Sequence, residues 1–262
     1  MIRESIDGLV CDLDGVMYRG SETVPGAAEA IEGLRAEGIK VLFCTNNSRS
    51  TPTEHVKKLT QIGVPVEIDD ILTSAMVTAE VLSGRAVDGM RALAIGGQGL
   101  TEALASIGVE VLDAGASESA DIVAIGWDPA FGYGDMTRAM TAVRDGAVFV
   151  ATNDDASFPA PGGRLIPGAG AILASIERAS GRSAEVMGKP HTPMLEAARK
   201  RFRLGARLAA VGDRPETDLA GATKMGWRTI LVLSGVTDEP ASASIEPRPD
   251  LVLPSIAQLI ED

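Results

Sequence analysis

Apolar residues in this chain come in short unbroken runs. Each run ends on polar residues and leads into a longer stretch with helical spacing. "LVCDLD" opens the series, "GAAEAIEGLRAEG" follows with a helical period, and "IKVLFCTNN" is the second run. Gly38 stands where a helix is expected to end. The interval between runs suits a right-handed crossover joining parallel strands. The C-terminal part keeps the rhythm. "RLAAVGD" predicts a buried strand, "TDLAGATKMG" a helix, "RTILVLSG" another strand, and "DLVLPSIAQLIED" a short strand with a terminal helix. Continuous aliphatic runs are what a sheet covered on both faces requires.

The middle of the chain has its own set. "RALAIGG", "ADIVAIGW" and "AVFVATN" predict strands, and "QGLTEALASIG", "YGDMTRAMTAVRDG" and "GAGAILASIERASG" predict helices. The expected fold class is therefore α/β. A Rossmann-like parallel-sheet core spans 1–80 and 187–262, and a smaller α/β cap over 81–186 is inserted into it.

Composition narrows the function. A length of 262 residues with 45% hydrophobic content allows a packed core, and only 3% aromatics means that core rests on aliphatic side chains. The net charge of −12 argues against nucleic-acid binding, which needs clustered Lys and Arg. No run has the length of a membrane span, and the N-terminal segment lacks a signal-peptide layout, so the expected location is the cytoplasm. Cys11 and Cys44 sit inside aliphatic runs and read as buried and reduced. With His55 and His191 they make no soft-metal set, so zinc is not expected.

Ligands of open α/β sheets gather beyond the carboxyl ends of the strands. After the first run come Asp12 and Asp14, with Gly15. After the second come Thr45, Asn46 and Asn47. "VGD" ends on Asp213, with Asp218 one turn further, and "VMGKPH" carries Lys189. Carboxylates crowded in one pocket push each other towards protonation unless a cation intervenes. The reading supplies two cations, Lys189 and a divalent metal, and oxygen ligands with water suit Mg²⁺. A carboxylate beside them is a competent nucleophile towards phosphorus. A second, two residues on, can give and take the proton. The expected chemistry is hydrolysis of phosphate monoesters through an aspartyl-phosphate.

"DLDGVMYRG", "CTNNS", "GKP" and "VGDRPETDLAGA" resemble, in order, the four motifs of haloacid dehalogenase-like phosphatases. The resemblance is greatest to the NagD-like or p-nitrophenylphosphatase-like branch (class IIA), which has a large α/β cap. "IDDILTSAMVTAEVL", "ATNDDASFP" and "LIPGAGAI" also resemble that branch. The resemblance implies that Asp12 is nucleophile and metal ligand. It makes Asp14 the acid/base, with its backbone carbonyl on the metal. Thr45 and Asn46, with Asn47 nearby, would bind phosphate beside Gly15, and Lys189 would orient Asp12. Asp213 would be a direct metal ligand, and Asp218 a ligand or a partner of one. It further implies a small phosphorylated metabolite as substrate: a sugar phosphate, glycerol phosphate, phosphoglycolate or a nucleoside monophosphate. A homodimer through the cap is also implied.

Plainer readings stand beside these. Asp14 can cap a turn, Thr45 to Asn47 can cap a helix, and Asp213 and Asp218 can cap the helix after them. "IGGQGL" lacks the full dinucleotide fingerprint and reads as a tight turn in the cap. Trp127, Trp227 and His191 read as packing residues. "NDDASFPAPGGRL" is expected to be a loop, with Phe158 and Arg164 as candidate substrate contacts. The rivals are a phosphoacceptor receiver module, a non-catalytic regulatory protein on the same fold, and a metal-free dehalogenase.

Overall fold

The computed structural model describes residues 2–113, 119–160, 164–239, 244–246 and 248–260, with the side chains of 158–160 outside the description. Contacts divide the chain into two units. The core unit is Met1–Thr45, Thr53–Leu72 and Lys189–Asp262, and the cap unit is Asn46–Pro52 and Thr73–Gly188.

The core unit is built on six strands: β1 (Gly8–Cys11), β4 (Lys40–Thr45), β5 (Ile71–Thr73), β13 (Leu208–Gly212), β14 (Arg228–Val232) and β15 (Leu251–Leu253). Their order is β15-β14-β13-β1-β4-β5. β1 pairs in parallel with β4 on one side and β13 on the other, through Cys11↔Phe43 and Cys11↔Val211. Every residue of β1 and β13 is buried, as the unbroken apolar runs predict. The chain leaves β1 towards β4 and later returns to β13 on the opposite side. Between β1 and β13 the strand order therefore reverses, and a crevice forms there at the carboxyl edge.

Helix α1 (Ala27–Ala36) buries Ala27, Ala30, Ile31 and Leu34, the i, i+3, i+4, i+7 stripe of an amphipathic helix. Burying Ile31 and Leu34 contributes about 1.5–3 kcal/mol each. The helix gives way to a turn in which Gly38 adopts φ +82°, the left-handed conformation expected at that position. Helices α2 (Pro52–Gln61), α7 (Thr192–Lys200) and α8 (Ala220–Lys224) and a hairpin of β2 (Tyr18–Arg19) and β3 (Glu22–Thr23) complete the unit.

Two elements differ from expectation. The helix predicted over 217–226 begins as a wide π turn, Pro215–Leu219, before α8. The amide of Arg214 is held there by the Asp218 carboxylate, so the first turn is shaped around a side chain. The predicted terminal helix is a 3-10 turn, Ile256–Ile260.

The cap unit has a five-stranded sheet of β6 (Arg91–Ile95), β7 (Glu110–Val111), β8 (Ile122–Ile125), β9 (Val148–Ala151) and β12 (Glu185–Val186), in the order β12-β9-β8-β6-β7. Its pairs are parallel. Helices α3 (Ser74–Ser83), α4 (Gln98–Ala105), α5 (Tyr133–Arg144) and α6 (Ala169–Ser180) belong to it. The sequence reading set the breaks at 80/81 and 186/187. In the structure α3 packs on α4 and so lies with the cap. Residues 46–52 also lie with the cap, because Gly99 N–H bonds to the Arg49 carbonyl and Thr152 Oγ1 bonds to Ser48 Oγ. "IGGQGL" forms the start of α4, with Gly97 before its first turn.

The segment expected as a loop contains a hairpin instead. β10 (Ser157–Ala160) and β11 (Arg164–Pro167) pair antiparallel, with Phe158 opposite Ile166. Two short segments on either side of 161–163 thus satisfy their main-chain groups against each other. Arg164 is exposed, and the Phe158 side chain lies outside the described residues.

Candidate active site

Asp12 directly follows β1, and its amide still bonds to the Val211 carbonyl of β13 at 3.0 Å. The sheet ladder therefore fixes its main chain at the crevice. Asp213 directly follows β13 on the other wall, and Asp218 comes from the π turn beyond it. One oxygen from each of the three carboxylates lies within 4.8 Å of the others. Lys189 Nζ reaches Asp12 Oδ1 at 2.5 Å, Asp218 Oδ1 at 2.7 Å and the Cys44 carbonyl at 3.0 Å. Lys189, Asp213 and Asp218 are buried. Asp12, Lys189 and the Asp213–Asp218 pair, far apart in sequence, are thus brought together.

The electrostatics follow from that crowding. Burial pushes the Asp12 carboxyl well above the usual carboxylate range. Lys189 pulls against this, while Asp218 and Asp213 add to the push. Burial alone would lower Lys189, but Asp12 and Asp218 hold its ammonium well above the usual lysine range. Burial, with Asp218 beside it, raises Asp213 to about 6. With all three carboxylates ionised against one ammonium, two negative charges would be left uncompensated, the charge of one divalent cation. All three donors are hard oxygens, a set that fits Mg²⁺ better than zinc.

Asp14 is half-buried two residues on. Burial raises its carboxyl, opposed first by Lys58 and then by Lys189 and Arg214. Gly15 adopts φ +85°, and a Cβ there would sit 2.3 Å from Asp213 Oδ2. Glycine is required at this position both for the turn and for the space the carboxylate occupies. Thr45 ends β4 and is buried. Asn46 and Asn47 follow it directly, but their side chains engage the cap unit. Asn46 Nδ2 donates to both Asp155 carboxylate oxygens at 3.2 Å, and Asn47 Oδ1 accepts the amides of Arg49 and Ser50.

Several contributors carried no sequence-level prediction. Val236 N–H donates to Asp213 Oδ2 at 2.7 Å, and Thr237 Oγ1 to the Asp213 carbonyl at 2.6 Å. Ser234 Oγ donates to the Gly15 carbonyl, and Arg19 Nε to the Ser234 carbonyl. The loop after β14 thus supports Asp213 and Gly15 together. Its only signal was the Ser-Gly pair closing "RTILVLSG", read there as the end of a strand. Lys58 Nζ lies 3.2 Å from the centroid of the buried Tyr18 ring, a cation–π contact between elements no local pattern connects.

Residues 9–110 match the family described as haloacid dehalogenase-like hydrolase, and residues 186–259 match a HAD-hydrolase-like family. An acid sugar phosphatase of Staphylococcus haemolyticus (strain JCSC1435) is 37% identical over 231 residues, which are 88% of this chain and 86% of the relative. The crystal structure of glycerol phosphate phosphatase from Mycobacterium tuberculosis in complex with magnesium matches with a TM-score of 0.88 and 31% identity. The match covers 100% of this chain and 78% of that one. The 4-nitrophenylphosphatase of Thermotoga maritima gives a TM-score of 0.91 at 31% identity, over 100% of this chain and 99% of that one. The chain belongs to the haloacid dehalogenase-like hydrolases, in the NagD and p-nitrophenylphosphatase branch that carries an inserted α/β cap.

Proposed function

We propose that this protein is a Mg²⁺-dependent phosphatase of small phosphate monoesters that works through a phosphorylated Asp12. The observation that carries the reading is the charge balance: one ammonium stands among three clustered carboxylates, two of them in direct contact with it. Asp12, Asp213 and Asp218, with the Asp14 carbonyl, would hold the ion. Bound Mg²⁺ would supply positive charge to the transferring phosphoryl oxygens. Lys189 opposes the upward push on the Asp12 carboxyl, aims it through their contact, and adds its own charge to those oxygens. Asp12 attacks phosphorus. Asp14, whose carboxyl burial raises, gives a proton to the leaving oxygen and later takes one from the attacking water. Thr45 and the amides after it, with Gly15, line the phosphate.

Sugar phosphates, glycerol phosphate and p-nitrophenyl phosphate form the substrate class, supported by the relatives named above. Family membership sets aside the receiver module. The test is phosphate release from p-nitrophenyl phosphate with Mg²⁺ and with chelator. Asp12→Asn should abolish turnover and leave the circular dichroism unchanged, whereas undiminished turnover in that variant ends this reading.

Two further parts of the proposal concern context. Among the described residues, no helix is long and apolar enough to cross a membrane. Cys11 and Cys44 are buried free thiols, which supports residence in the reducing cytoplasm; cell fractionation tests this. The resemblance to the capped branch supports a homodimer through the cap unit, on which Tyr133 and Leu165 are large exposed side chains. Light scattering that gives a monomer mass would remove the dimer.

A further inference from the structure

The cap unit holds a polar knot whose two ends run directly into Thr45 and Lys189. Asn46 follows Thr45 in the chain. Its carbonyl oxygen accepts two bonds at 2.8 Å, from Ser74 Oγ at the start of α3 and from Asn153 Nδ2 after β9. Its carboxamide donates to Asp155, whose own amide donates to Asn153 Oδ1 at 3.2 Å. Asn153 Nδ2 also reaches Thr152 Oγ1, which bonds to Ser48 Oγ at 2.9 Å. Ser48, Ser74, Thr152 and Asn153 are all buried. The other end is Gly188, the residue before Lys189. A Cβ there would stand 2.6 Å from Asn46 Oδ1, 2.6 Å from the Thr152 carbonyl oxygen and 3.0 Å from Asn153 Cβ. The main chain on the cap side of both residues is therefore packed on one set of side chains.

We propose that Asn153, with Ser74, is a positioning residue for phosphoryl transfer: by fixing the Asn46 carbonyl, and with it Asn46 beside Gly188, it sets the place of Thr45 and Lys189 through single peptide steps. This rests on the function proposed above. Both donors bond this one carbonyl because the oxygen has two lone pairs, and a buried amide left without a partner is costly. Small misplacement of groups that touch the transferring phosphoryl lowers kcat far more than it weakens ground-state binding.

The test compares wild type, Asn153→Ala, Asn153→Asp and Ser74→Ala with Val143→Ala. Val143 lies in the cap's apolar core, a cluster that includes none of the knot residues. With p-nitrophenyl phosphate and Mg²⁺, the knot variants should lose about 10- to 100-fold in kcat with KM within about threefold. Val143→Ala should stay within about twofold of wild type at temperatures well below its melting point. Asn153→Asp keeps shape but replaces the donor with an acceptor, and should lose at least as much as Asn153→Ala. Hydrogen exchange of the full chain supplies a readout independent of turnover. Amides of 46–48 and 187–189 should exchange faster in the knot variants than in Val143→Ala. Unchanged exchange there, an Asp variant that behaves as wild type, or faster exchange with unchanged kcat would each overturn the inference. A wild type that releases no phosphate would overturn the proposed function alone and leave exchange to judge the knot.

Discussion

Without divalent cations, the stability of this protein should fall as pH rises, and Asp213→Asn should cancel much of the fall. Asp213 is 2% exposed and shares its cavity with Asp12 and Asp218. Burial and Asp218 raise its pKa from 3.8 to about 6. The folded state then holds this proton more tightly than the unfolded chain does. An acid raised in this way contributes stability at low pH, and the contribution is lost as pH climbs through about 6. A shift of roughly two units corresponds to about 3 kcal/mol. At roughly 2–4 °C per kcal/mol for a chain of this size, the effect is ~6–12 °C in melting temperature. The assay is thermal unfolding in chelator, from about pH 3 to about pH 8, on wild type and Asp213→Asn. Titrations of groups remote from the crevice cancel in the difference, the variant also relieves the push of Asp213 on Asp12, and asparagine can still accept the Val236 amide. Wild type should melt below the variant at the alkaline end, and the gap should close by that amount at the acid end. Saturating Mg²⁺ should reverse the order at alkaline pH, because a ligand bound only by the folded state stabilises it by RT ln(1 + [L]/Kd). A wild type and variant whose difference is the same at every pH would refute the picture of a carboxylate crowded by its neighbours.

Gly235→Ala should raise the Mg²⁺ concentration needed for half-maximal turnover, since its Cβ would stand 1.9 Å from Asp213 Oδ2 and 2.4 Å from Cγ. The overpacking should also cost about 1–3 kcal/mol by urea unfolding; an unmoved metal titration counts against the site. Lys189→Met strands Asp12 and Asp218 without their ammonium. It should destabilise the chelated protein by about 3–5 kcal/mol at neutral pH, as for a broken buried pair. Phosphate release should be lost with it, and retained turnover would exclude the assigned role. Asp7 takes a side-chain bond from Arg207, with its backbone amide and Arg203 adding to the hold, and its carboxyl lies well below the usual range. Its advantage over Asp7→Asn should be present in urea unfolding above about pH 4 and fade as pH falls further. A constant difference would show that the charge is not what matters.

What the sequence made legible was set by desolvation. A carboxylate ending a fully buried strand is costly, so Asp12 and Asp213 stood out against the aliphatic runs before them, and Lys189 was the cation at hand. The residues that place those charges were hidden for the opposite reason. Ser234 and Gly235 continue the pattern of β14, and nothing local says that the chain bends there to present Val236 N–H to Asp213. Asn46 and Asn47 were legible as polar residues at a strand end. Their side-chain directions depend on Asp155, Arg49 and Ser50, which the folded cap unit supplies. Lys58 over Tyr18 joins a helix to a short hairpin and has no sequence signature at all. The hairpin of β10 and β11 was masked by turn-forming residues around it, since pairing satisfies main-chain groups whatever the composition.

The close approach of like charges also has a steric condition. Gly15 and Gly235 both border Asp213, and Gly212 borders Asp218. A Cβ at any of the three would come within 2.3 Å of a carboxylate atom. Backbone freedom explains only Gly15, the one of these with a positive φ. At 212 and 235 the glycine is needed for space alone. Two carboxylates can share the crevice with Lys189 and Asp12 because the walls behind them carry no side chains. The acidic residues could be kept and the site still lost by filling those walls. The charge pattern in the sequence is thus necessary for the site, and the glycines that read as mere turns decide whether it can assemble.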